Sequence, residues 1–269
     1  MTLRDQIGRP LHLKSVPQRI ISLVPSQTEL LVDLGLESYL VGVTKFCIHP
    51  SHLRKEKVVV GGTKQINIEK IKTLRPDIIL CNKEENTKDI VTACAEICNI
   101  HVSDIFNIQH NLEMIHQYGI IFNKAKEASE ITDLIKKEWA CFDVFIQNKP
   151  LLNAVYFIWK NPWMIAANNT YINYMLALNR FKNSYEDKNR YPEITLRQTK
   201  RNNAIDVVML SSEPFPFKES HISEVKDFYP NAQIIIADGE MFSWYGSRLK
   251  EAFKYFKNLR LNLEGHLNL

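Results

Sequence analysis

The residues best suited to chemistry are a cysteine and a histidine two positions apart, Cys47 and His49. A thiol beside an imidazole can act as an activated nucleophile, and both side chains can bind a metal ion. The neighbouring sequence supplies no third or fourth ligand, so a buried or rim position is the more common role for Cys47. Either group could instead be an axial ligand to the cobalt or iron of a bound cofactor, and His49 is the preferred candidate.

Acidic residues follow several predicted strands and could take part in such a site. They are Glu84, Glu85, Glu213, Asp238 and Glu240. Glu84 and Glu85 have an equally common alternative role, because adjacent carboxylates at a helix start are solvated and stabilised by the helix dipole. The usual phosphate-binding, dinucleotide-binding, serine-hydrolase and zinc-protease motifs are absent from the 269 residues. The sequence therefore favours a binding protein over an enzyme.

Aromatic residues are concentrated in three segments that follow predicted strands in the second half of the chain. They are Trp159, Trp163, Phe215, Phe217, Phe242, Trp244 and Tyr245. Any one of them is more often a core residue than a ligand contact. Seven in three such segments favour an aromatic wall that can stack on a flat macrocycle or cover an apolar one.

The corresponding segments of the first half are more polar and would contact the polar edge of a ligand. The binding candidates there are Pro25, Ser26, Lys45, Phe46, Cys47, Thr63, Lys83, Glu84 and Glu85, with Asn86 beside them. Their side chains offer hydrogen bonds and charges of both signs. The two halves together predict a site with one aromatic side and one polar side.

The first strand-to-helix corner shows how these segments are positioned. Residues 20–24 form the apolar run of a strand that is buried on both faces. Pro25 ends that strand, and Ser26 and Glu29 have the spacing of a capping box that would begin a helix. In α/β sheets, ligands bind beyond the carboxyl ends of the strands, near free helix amides. A single corner of this kind is as often an ordinary turn.

Strands and helices alternate along the first half of the chain. The predicted strands are 20–24, 40–43, 58–60 and 78–80, and the predicted helices include 68–74 and 87–98. This alternation predicts a mainly parallel sheet with helices on both faces.

One long helix is predicted between the two halves. Residues 124–148 contain no Gly or Pro, and apolar residues recur there at steps of three and four. Beyond it the alternation restarts, with strands at 153–158, 206–210 and 234–237, helices at 171–178 and 221–228, and a terminal helix. The polar stretch 182–203 is predicted to be a surface connection. The expected organisation is an N-terminal α/β lobe (1–123), a connecting helix (124–148) and a C-terminal α/β lobe (149–269).

Composition bounds the classes of function. The net charge is +4, from 34 basic and 30 acidic residues spread along the chain, so nucleic-acid binding is not expected. No apolar stretch reaches 18 residues, so the protein is not expected to be membrane-embedded. The first residues lack a secretory signal, which predicts a cytoplasmic location for the chain as given, or a periplasmic one if an upstream signal was omitted. Five unevenly spaced cysteines do not form a disulfide framework, and Cys94 and Cys98 are expected on a helix face.

Several segments together resemble a known family. They are Pro-Ser-Gln-Thr-Glu at 25–29, Gly-Gly-Thr at 61–63 and Leu-Arg-Pro-Asp-Ile-Ile-Leu at 74–80. With two βα lobes and a long helix between them, the chain resembles the helical-backbone (class III) substrate-binding proteins of ABC importers, which capture vitamin B12, ferric siderophores and haem. It is most similar to the cobalamin-binding or iron-complex-binding subgroup, on segments 44–50, 82–86, 158–164, 212–217 and 238–246. The resemblance covers nearly the whole chain.

The resemblance implies two lobes joined by one backbone helix, with a ligand cleft between them. It implies non-catalytic binding of a corrinoid such as cobalamin, with haem or a ferric siderophore as alternative metal chelates, and an ABC permease as partner. Family members that serve importers are exported or lipid-anchored, and neither signal is present in this sequence. The alternatives are therefore a cytoplasmic enzyme or chaperone that acts on the same ligands through Cys47, His49 and nearby carboxylates, or a partner protein that binds no small molecule.

Overall fold

The computed structural model of the protein describes residues 3–196 and 204–267. The chain divides into two compact units. Unit 1 comprises Met1–Lys136 and Tyr245–Leu249, and unit 2 comprises Lys137–Trp244 and Lys250–Leu269.

Unit 1 contains two small N-terminal strands and then an alternation of strands and helices. Its elements are β1 (Leu3–Arg4), β2 (Pro10–Leu11), β3 (Ile20–Ser22), α1 (Pro25–Asp33), β4 (Leu40–Val43), α2 (Leu53–Glu56), β5 (Val58–Val59), α3 (Ile68–Thr73), β6 (Ile78–Asn82), α4 (Lys88–Ala95), β7 (Asn99–Ser103) and α5 (Ile108–Ile121). Short 3-10 turns at Glu37–Tyr39 and, from the distant end of the chain, Gly246–Arg248 complete the unit.

A five-stranded sheet in the order β5-β4-β3-β6-β7 forms the centre of unit 1. All four strand pairs are parallel. The apolar side chains of β3 and β6 are fully buried, as expected for strands covered by helices on both faces. Ile21, Ile79 and Val102 pack with Ile71 and Ile90 in one apolar core cluster.

The long helix α6 (Ala125–Ile146) contributes residues to both units. The remaining elements are β8 (Leu152–Trp159), β9 (Trp163–Ile165), α7 (Tyr171–Leu178), β10 (Phe181–Asn183), β11 (Glu193–Ile194), β12 (Val207–Ser211), α8 (Ile222–Lys226), β13 (Gln233–Ala237), α9 (Gly239–Ser243) and α10 (Leu249–Leu267). A 3-10 turn at Glu219–His221 leads into α8.

Unit 2 has a mixed six-stranded sheet. The main order is β11-β9-β8-β12-β13, and β10 pairs with the first residues of β8. β8, β10, β12 and β13 are parallel, whereas β9 is antiparallel to both β8 and β11. The core cluster includes Val155, Phe157, Val208 and Leu210. Both units therefore confirm the predicted α/β fold with mainly parallel sheets flanked by helices.

The predicted capping box at the first corner is wrong. α1 begins at Pro25, and no side chain caps its first turn. Proline suits this position because a first-turn residue needs no amide donor. Ser26 lies buried inside the turn, and Glu29 instead pairs with Arg248 at 2.7 Å.

Other differences concern where strands end. Four strands extend further than predicted or begin within a predicted loop: residues 81–82 belong to β6, Trp159 to β8, Trp163 to β9 and Ser211 to β12. The stretch 182–203 is not only a surface connection, because it contains part of β10 and all of β11. Residues 197–203 of that stretch lie outside the described residues. β7 and α5 were not placed by the sequence analysis.

Within residues 3–196 and 204–267, no helix has both the length and the hydropathy that a membrane crossing requires.

Candidate functional site

The carboxyl ends of the unit 1 strands carry the loops predicted to bind a ligand. β3 lies in the centre of the sheet between β4 and β6. The chain adds β4 and β5 on one side of β3 and then β6 and β7 on the other. The strand order thus reverses beside β3, and such a switch point is where α/β sheets commonly bind ligands.

Hydrogen bonds connect the loops that follow β4, β5 and β6. The amide of Lys45 donates to the Gly61 carbonyl oxygen at 2.8 Å. Asn86 Nδ2 donates to the Thr63 carbonyl oxygen at 2.9 Å, and Asn86 itself is buried. These three loops therefore form one continuous surface, which we call the unit 1 rim.

The candidate side chains of the unit 1 rim differ in exposure. Lys45 and Phe46 are exposed, with Lys45 Nζ 5.0 Å from the centre of the Phe46 ring. Thr63, Glu84 and Glu85 are half-buried. All five present some surface that a ligand could contact.

Two lysines add positive charge to the unit 1 rim. Lys83 is exposed, and its Nζ lies 2.6 Å from Asp104 Oδ2. Lys64, which the sequence analysis did not select, donates from Nζ to the Glu84 carbonyl oxygen at 2.7 Å. The rim therefore combines ammonium and carboxylate groups that can hydrogen-bond to polar groups of a ligand.

A buried polar network lies at the same carboxyl ends. Gln27 Oε1 accepts from Tyr118 Oη at 2.7 Å, and Gln27 Nε2 donates to Ser103 Oγ at 2.6 Å and to Tyr245 Oη at 3.1 Å. Asn82 Nδ2 also donates to Ser103 Oγ at 2.9 Å. Burial raises the pKa of both tyrosines, so they remain neutral hydrogen-bonding groups.

Sequence reasoning missed most of this network. Its one visible signal was the polar run Ser26, Gln27 and Thr28 in the first turn of a helix whose neighbours are apolar. All three residues are buried, and so is Pro25. Pro25 and Ser26 thus lie at the predicted place but offer a ligand little surface.

Cys47 is a structural residue. Its side chain is fully buried, and its sulfur lies 3.0 Å from Thr28 Oγ1 and 3.2 Å from Thr44 Oγ1. Burial raises the pKa of the thiol, and the thiolate, not the thiol, is the nucleophile and the metal ligand. The structure therefore argues against Cys47 as a ligand contact or a catalytic group.

His49 is half-buried in the loop after β4. It lies near a charged pair in which Arg248 Nη2 is 2.7 Å from Glu29 Oε1. Burial raises the pKa of Glu29, while the positive charge of Arg248 and the nearness of the His49 imidazole act in the opposite direction. His49 thus lies in a polar region of the unit 1 rim, beside an ion pair between a buried arginine and a half-buried glutamate.

Unit 2 also brings its strand-end loops together. The amide of Phe215, after β12, donates to the Ile158 carbonyl oxygen at the end of β8. The amide of Gly239, after β13, donates to Ser212 Oγ at 2.9 Å. Because β8, β12 and β13 are parallel, these three loops lie at one edge of the sheet, which we call the unit 2 rim.

An aromatic cluster occupies part of the unit 2 rim. Trp159 and Phe215 have ring centres 5.7 Å apart, Phe215 and Phe217 4.7 Å, and Trp163 and Phe217 5.9 Å in a stacked geometry. His221, which the sequence analysis did not select, lies 5.6 Å from Phe215 and 5.5 Å from Phe217. Trp159 is 39% exposed, whereas Phe217 is buried.

The other three predicted wall residues are elsewhere. Phe242 is fully buried against Tyr156 and Phe256 in the unit 2 core. Trp244 is buried and donates from Nε1 to Glu213 Oε1 at 2.7 Å. Tyr245 belongs to unit 1, where it joins the network of Gln27. The single aromatic wall of seven residues is thus reduced to the cluster at Trp159, Trp163, Phe215 and Phe217.

Glu213 fixes the loops after β12 and β13 to each other. Its Oε1 accepts from Trp244 Nε1 and, at 2.9 Å, from Ser243 Oγ. Burial is the largest cause that raises the pKa of this carboxyl, and the nearby charges of Glu240 and Asp238 raise it further. The role of Glu213 is therefore to position Trp244, and its hydrogen-bonded carboxylate offers little surface for contact with a ligand.

A family model for periplasmic binding proteins matches residues 20–228, well over half of the 269-residue chain. The chain belongs to the periplasmic binding protein family. The family is named for ligand binding, which agrees with the expectation that this periplasmic binding protein holds a ligand without transforming it. The family resemblance found in the sequence is confirmed.

Curated relatives of this periplasmic binding protein carry names that refer to transport and to vitamin B12. An ABC transporter substrate-binding lipoprotein of Bacillus subtilis is 26% identical over 212 residues, which cover 72% of this chain and 64% of that protein. A vitamin B12-binding protein of Vibrio vulnificus is 26% identical over 199 residues, or 70% of each chain. This chain thus spans slightly less than two thirds of the length of the Bacillus relative.

A solved structure supports the same fold. The periplasmic vitamin B12 binding protein BtuF of Vibrio cholerae matches with a TM-score of 0.80, covering 93% of this chain and 98% of that one at 18% identity. At this identity the likeness concerns the fold alone.

Proposed function

We propose that this protein captures a corrinoid, such as cobalamin, as the substrate-binding component of an ABC importer. The observation that carries the proposal is the partly exposed aromatic cluster on the unit 2 rim. The names of its relatives in Vibrio vulnificus and Bacillus subtilis point to the same ligand and the same role.

The aromatic cluster suits a large, flat ligand. Trp159 presents an exposed indole at the end of β8, and half-buried Trp163 and Phe215 lie beside it. Mutual ring packing restrains these side chains, so they lose little conformational freedom when a macrocycle stacks on them. A rigid apolar surface with a polar border is typical of cofactor sites.

The unit 1 rim carries polar groups of the kind that a corrinoid needs. A corrinoid carries amide groups around its ring, and each amide needs both donors and acceptors. Lys45 and Lys83 offer ammonium donors, and Thr63, Glu84 and Glu85 offer oxygen atoms. The cleft that the family resemblance implies between the lobes stays a prediction.

His49 is the candidate axial ligand on the unit 1 rim. An imidazole nitrogen binds both cobalt and iron. The substitution His49→Ala tests this role, because loss of an axial nitrogen shifts the visible absorbance of a bound corrinoid or haem. An unchanged spectrum of the complex would exclude His49 as a ligand.

We also propose that the mature protein acts outside the cytoplasm and delivers its ligand to an ABC permease. The support is family membership and the lipoprotein relative, which is itself named as a transporter component. Fractionation of cells that express the gene from its natural start region tests the location. Recovery in the cytosolic fraction alone would contradict the transport role.

The substitution Trp159→Ala tests the aromatic cluster directly. Loss of the exposed indole is expected to weaken cyanocobalamin binding about 30-fold or more, because truncated aromatic anchors cost about 2 kcal/mol or more. Phe145→Ala is the matched control, since Phe145 is a half-buried aromatic residue of unit 2 on α6 and belongs to none of the loops of the unit 2 rim. Calorimetric titration measures both variants, and equal affinities for Trp159→Ala and the parent would refute this assignment.

A further inference from the structure

We propose that Glu37, His52 and Glu56 form a binding site for a divalent transition-metal ion, for which Zn²⁺ is the probe. The site goes beyond the proposed capture of a corrinoid and does not depend on it. It lies at the amino ends of β4 and β5, whereas the unit 1 rim lies at their carboxyl ends.

The three side chains converge from two separate elements. Glu37 begins the 3-10 turn that leads into β4. His52 precedes α2 and Glu56 is its last residue, so the two are four positions apart on one helical face. The backbone hydrogen bond from the Glu56 amide to the His52 carbonyl oxygen confirms that spacing.

The distances between donor atoms suit a metal ion. One donor atom from each of the three residues lies within 4.8 Å of the other two, and this is the one such trio of His, Cys, Asp or Glu in the described parts of the chain. His52 Nε2 is 2.7 Å from Glu37 Oε1. Zinc bonds of about 2.0–2.2 Å to nitrogen and oxygen place neighbouring donors about 3 Å apart. Small side-chain movements would therefore complete the coordination.

The chemistry of the donor set selects the class of ion. Imidazole nitrogen and carboxylate oxygen are both zinc ligands, and three protein ligands leave a fourth position open for water. A site made only of oxygen atoms would favour Mg²⁺ or Ca²⁺, and the imidazole shifts the preference toward Zn²⁺, Ni²⁺ or Cu²⁺.

The site is accessible from solvent. The side chains of His52 and Glu37 are 44% and 35% exposed, and Glu56 is exposed. A bound ion would connect the turn before β4 to the helix before β5. We therefore expect it to stabilise this edge of the sheet, because the three ligands are brought together only in the folded chain.

The test is calorimetric titration of the whole chain, without an affinity tag, with ZnCl₂. The protein carries Cys141→Ser as a background substitution, because the exposed thiol of Cys141 would compete for the ion. This parent is expected to bind one Zn²⁺ per chain. His52→Gln keeps an amide donor for Glu37 but removes the imidazole, and it should weaken that binding at least about tenfold. Glu56→Gln should have a similar effect.

The matched control is His116→Ala, which removes an exposed histidine of unit 1 from α5 and should leave zinc binding unchanged. Zn²⁺ should also raise the thermal midpoint of the parent and of His116→Ala, but not that of His52→Gln. No saturable binding by the parent up to about 1 mM Zn²⁺, or equal binding by the parent and His52→Gln, would overturn the proposal. Circular dichroism of each variant confirms that its fold is retained.

Discussion

At the scale of single residues, burial decides what each reactive side chain can do. Cys47 is fully buried between two threonine hydroxyls, and Cys81 and Cys94 are also buried. Cys141 is exposed on α6. The thiols therefore differ in reactivity for reasons that their spacing along the chain does not reveal.

This difference predicts the result of a thiol titration on the folded protein at pH 8. Cys141 should react rapidly with Ellman's reagent, whereas Cys47 and Cys98 should not, because burial raises the pKa of both thiols, that of Cys98 to about 12. Cys141→Ser should abolish the fast phase, and Cys47→Ser should leave it unchanged. A fast phase lost in Cys47→Ser would contradict the structural role assigned to that residue.

Glu213 predicts a pH-dependent effect on stability. Burial, with Glu240 and Asp238 nearby, raises its folded-state pKa above the ordinary value of 4.5. As pH rises above 4.5, the unfolded chain loses this proton first, so the folded state loses stability until its own carboxyl ionises. Glu213→Gln removes that loss, and its free energy of unfolding should therefore rise relative to the parent as pH increases from 4.5 toward 7.

Urea unfolding of both proteins at several pH values measures this difference. Glu219→Gln is the control, because Glu219 is an exposed glutamate near the same loop. A gap between Glu213→Gln and the parent that stays constant with pH would show that the carboxyl does not titrate as assigned.

The sequence indicated exposed residues of the two rims more readily than it indicated the buried hydrogen-bond network behind the unit 1 rim. Lys45 and Phe46 are exposed in the loop after β4, as expected for residues that follow a strand, and Trp159 is exposed although it is the last residue of β8. The contact of Gln27 with Tyr245 joins residues 218 positions apart, and no local pattern encodes such a pair. Tyr245 was accordingly assigned to the wrong half of the molecule.

At the scale of elements, side-chain caps explain where several helices begin. Thr87 precedes α4, and its Oγ1 accepts from the Ile90 amide at 3.3 Å. Thr87→Ala should lower the free energy of unfolding by about 1 kcal/mol. Thr92→Ala, at an exposed position in the middle of the same helix, should be neutral or slightly stabilising because alanine is the better helix former.

Thermal or urea denaturation measures both threonine variants. Equal destabilisation by the two substitutions would mean that the loss reflects the helix in general and that Thr87 has no special capping role.

Helices whose apolar residues recur at regular intervals were predictable from the sequence. Short strands that exist because they pair with neighbouring strands were not. The long helix α6 and the helix α7 follow apolar patterns that local sequence displays. The strand β9 has three residues, and it exists because it pairs with β8 and β11. The start of α1 was also predicted incorrectly. Both Pro25 and Ser26 are common at helix starts, and the helix begins at Pro25 without a serine cap.

At the scale of the whole molecule, the path of the chain differs from a simple succession of lobes. Tyr245–Leu249 packs with unit 1 although it follows the strands of unit 2. Asn111 Oδ1 accepts from the Gly246 amide at 2.6 Å, and Arg248 pairs with Glu29. The alternation of strands and helices predicted the two sheets. It did not predict that Tyr245–Leu249 packs with unit 1, because that packing depends on contacts between residues far apart in the sequence.

The central claim is that the protein binds a corrinoid, and one calorimetric experiment tests it most directly. The purified protein is titrated in parallel with cyanocobalamin, dicyanocobinamide, haemin and a ferric siderophore. We expect saturable one-to-one binding of a corrinoid with a dissociation constant below about 1 µM, or about 8 kcal/mol, and weaker binding of the other two classes. Tight binding of haemin or the siderophore instead would reassign the ligand within the family, and no binding of either corrinoid would contradict the account.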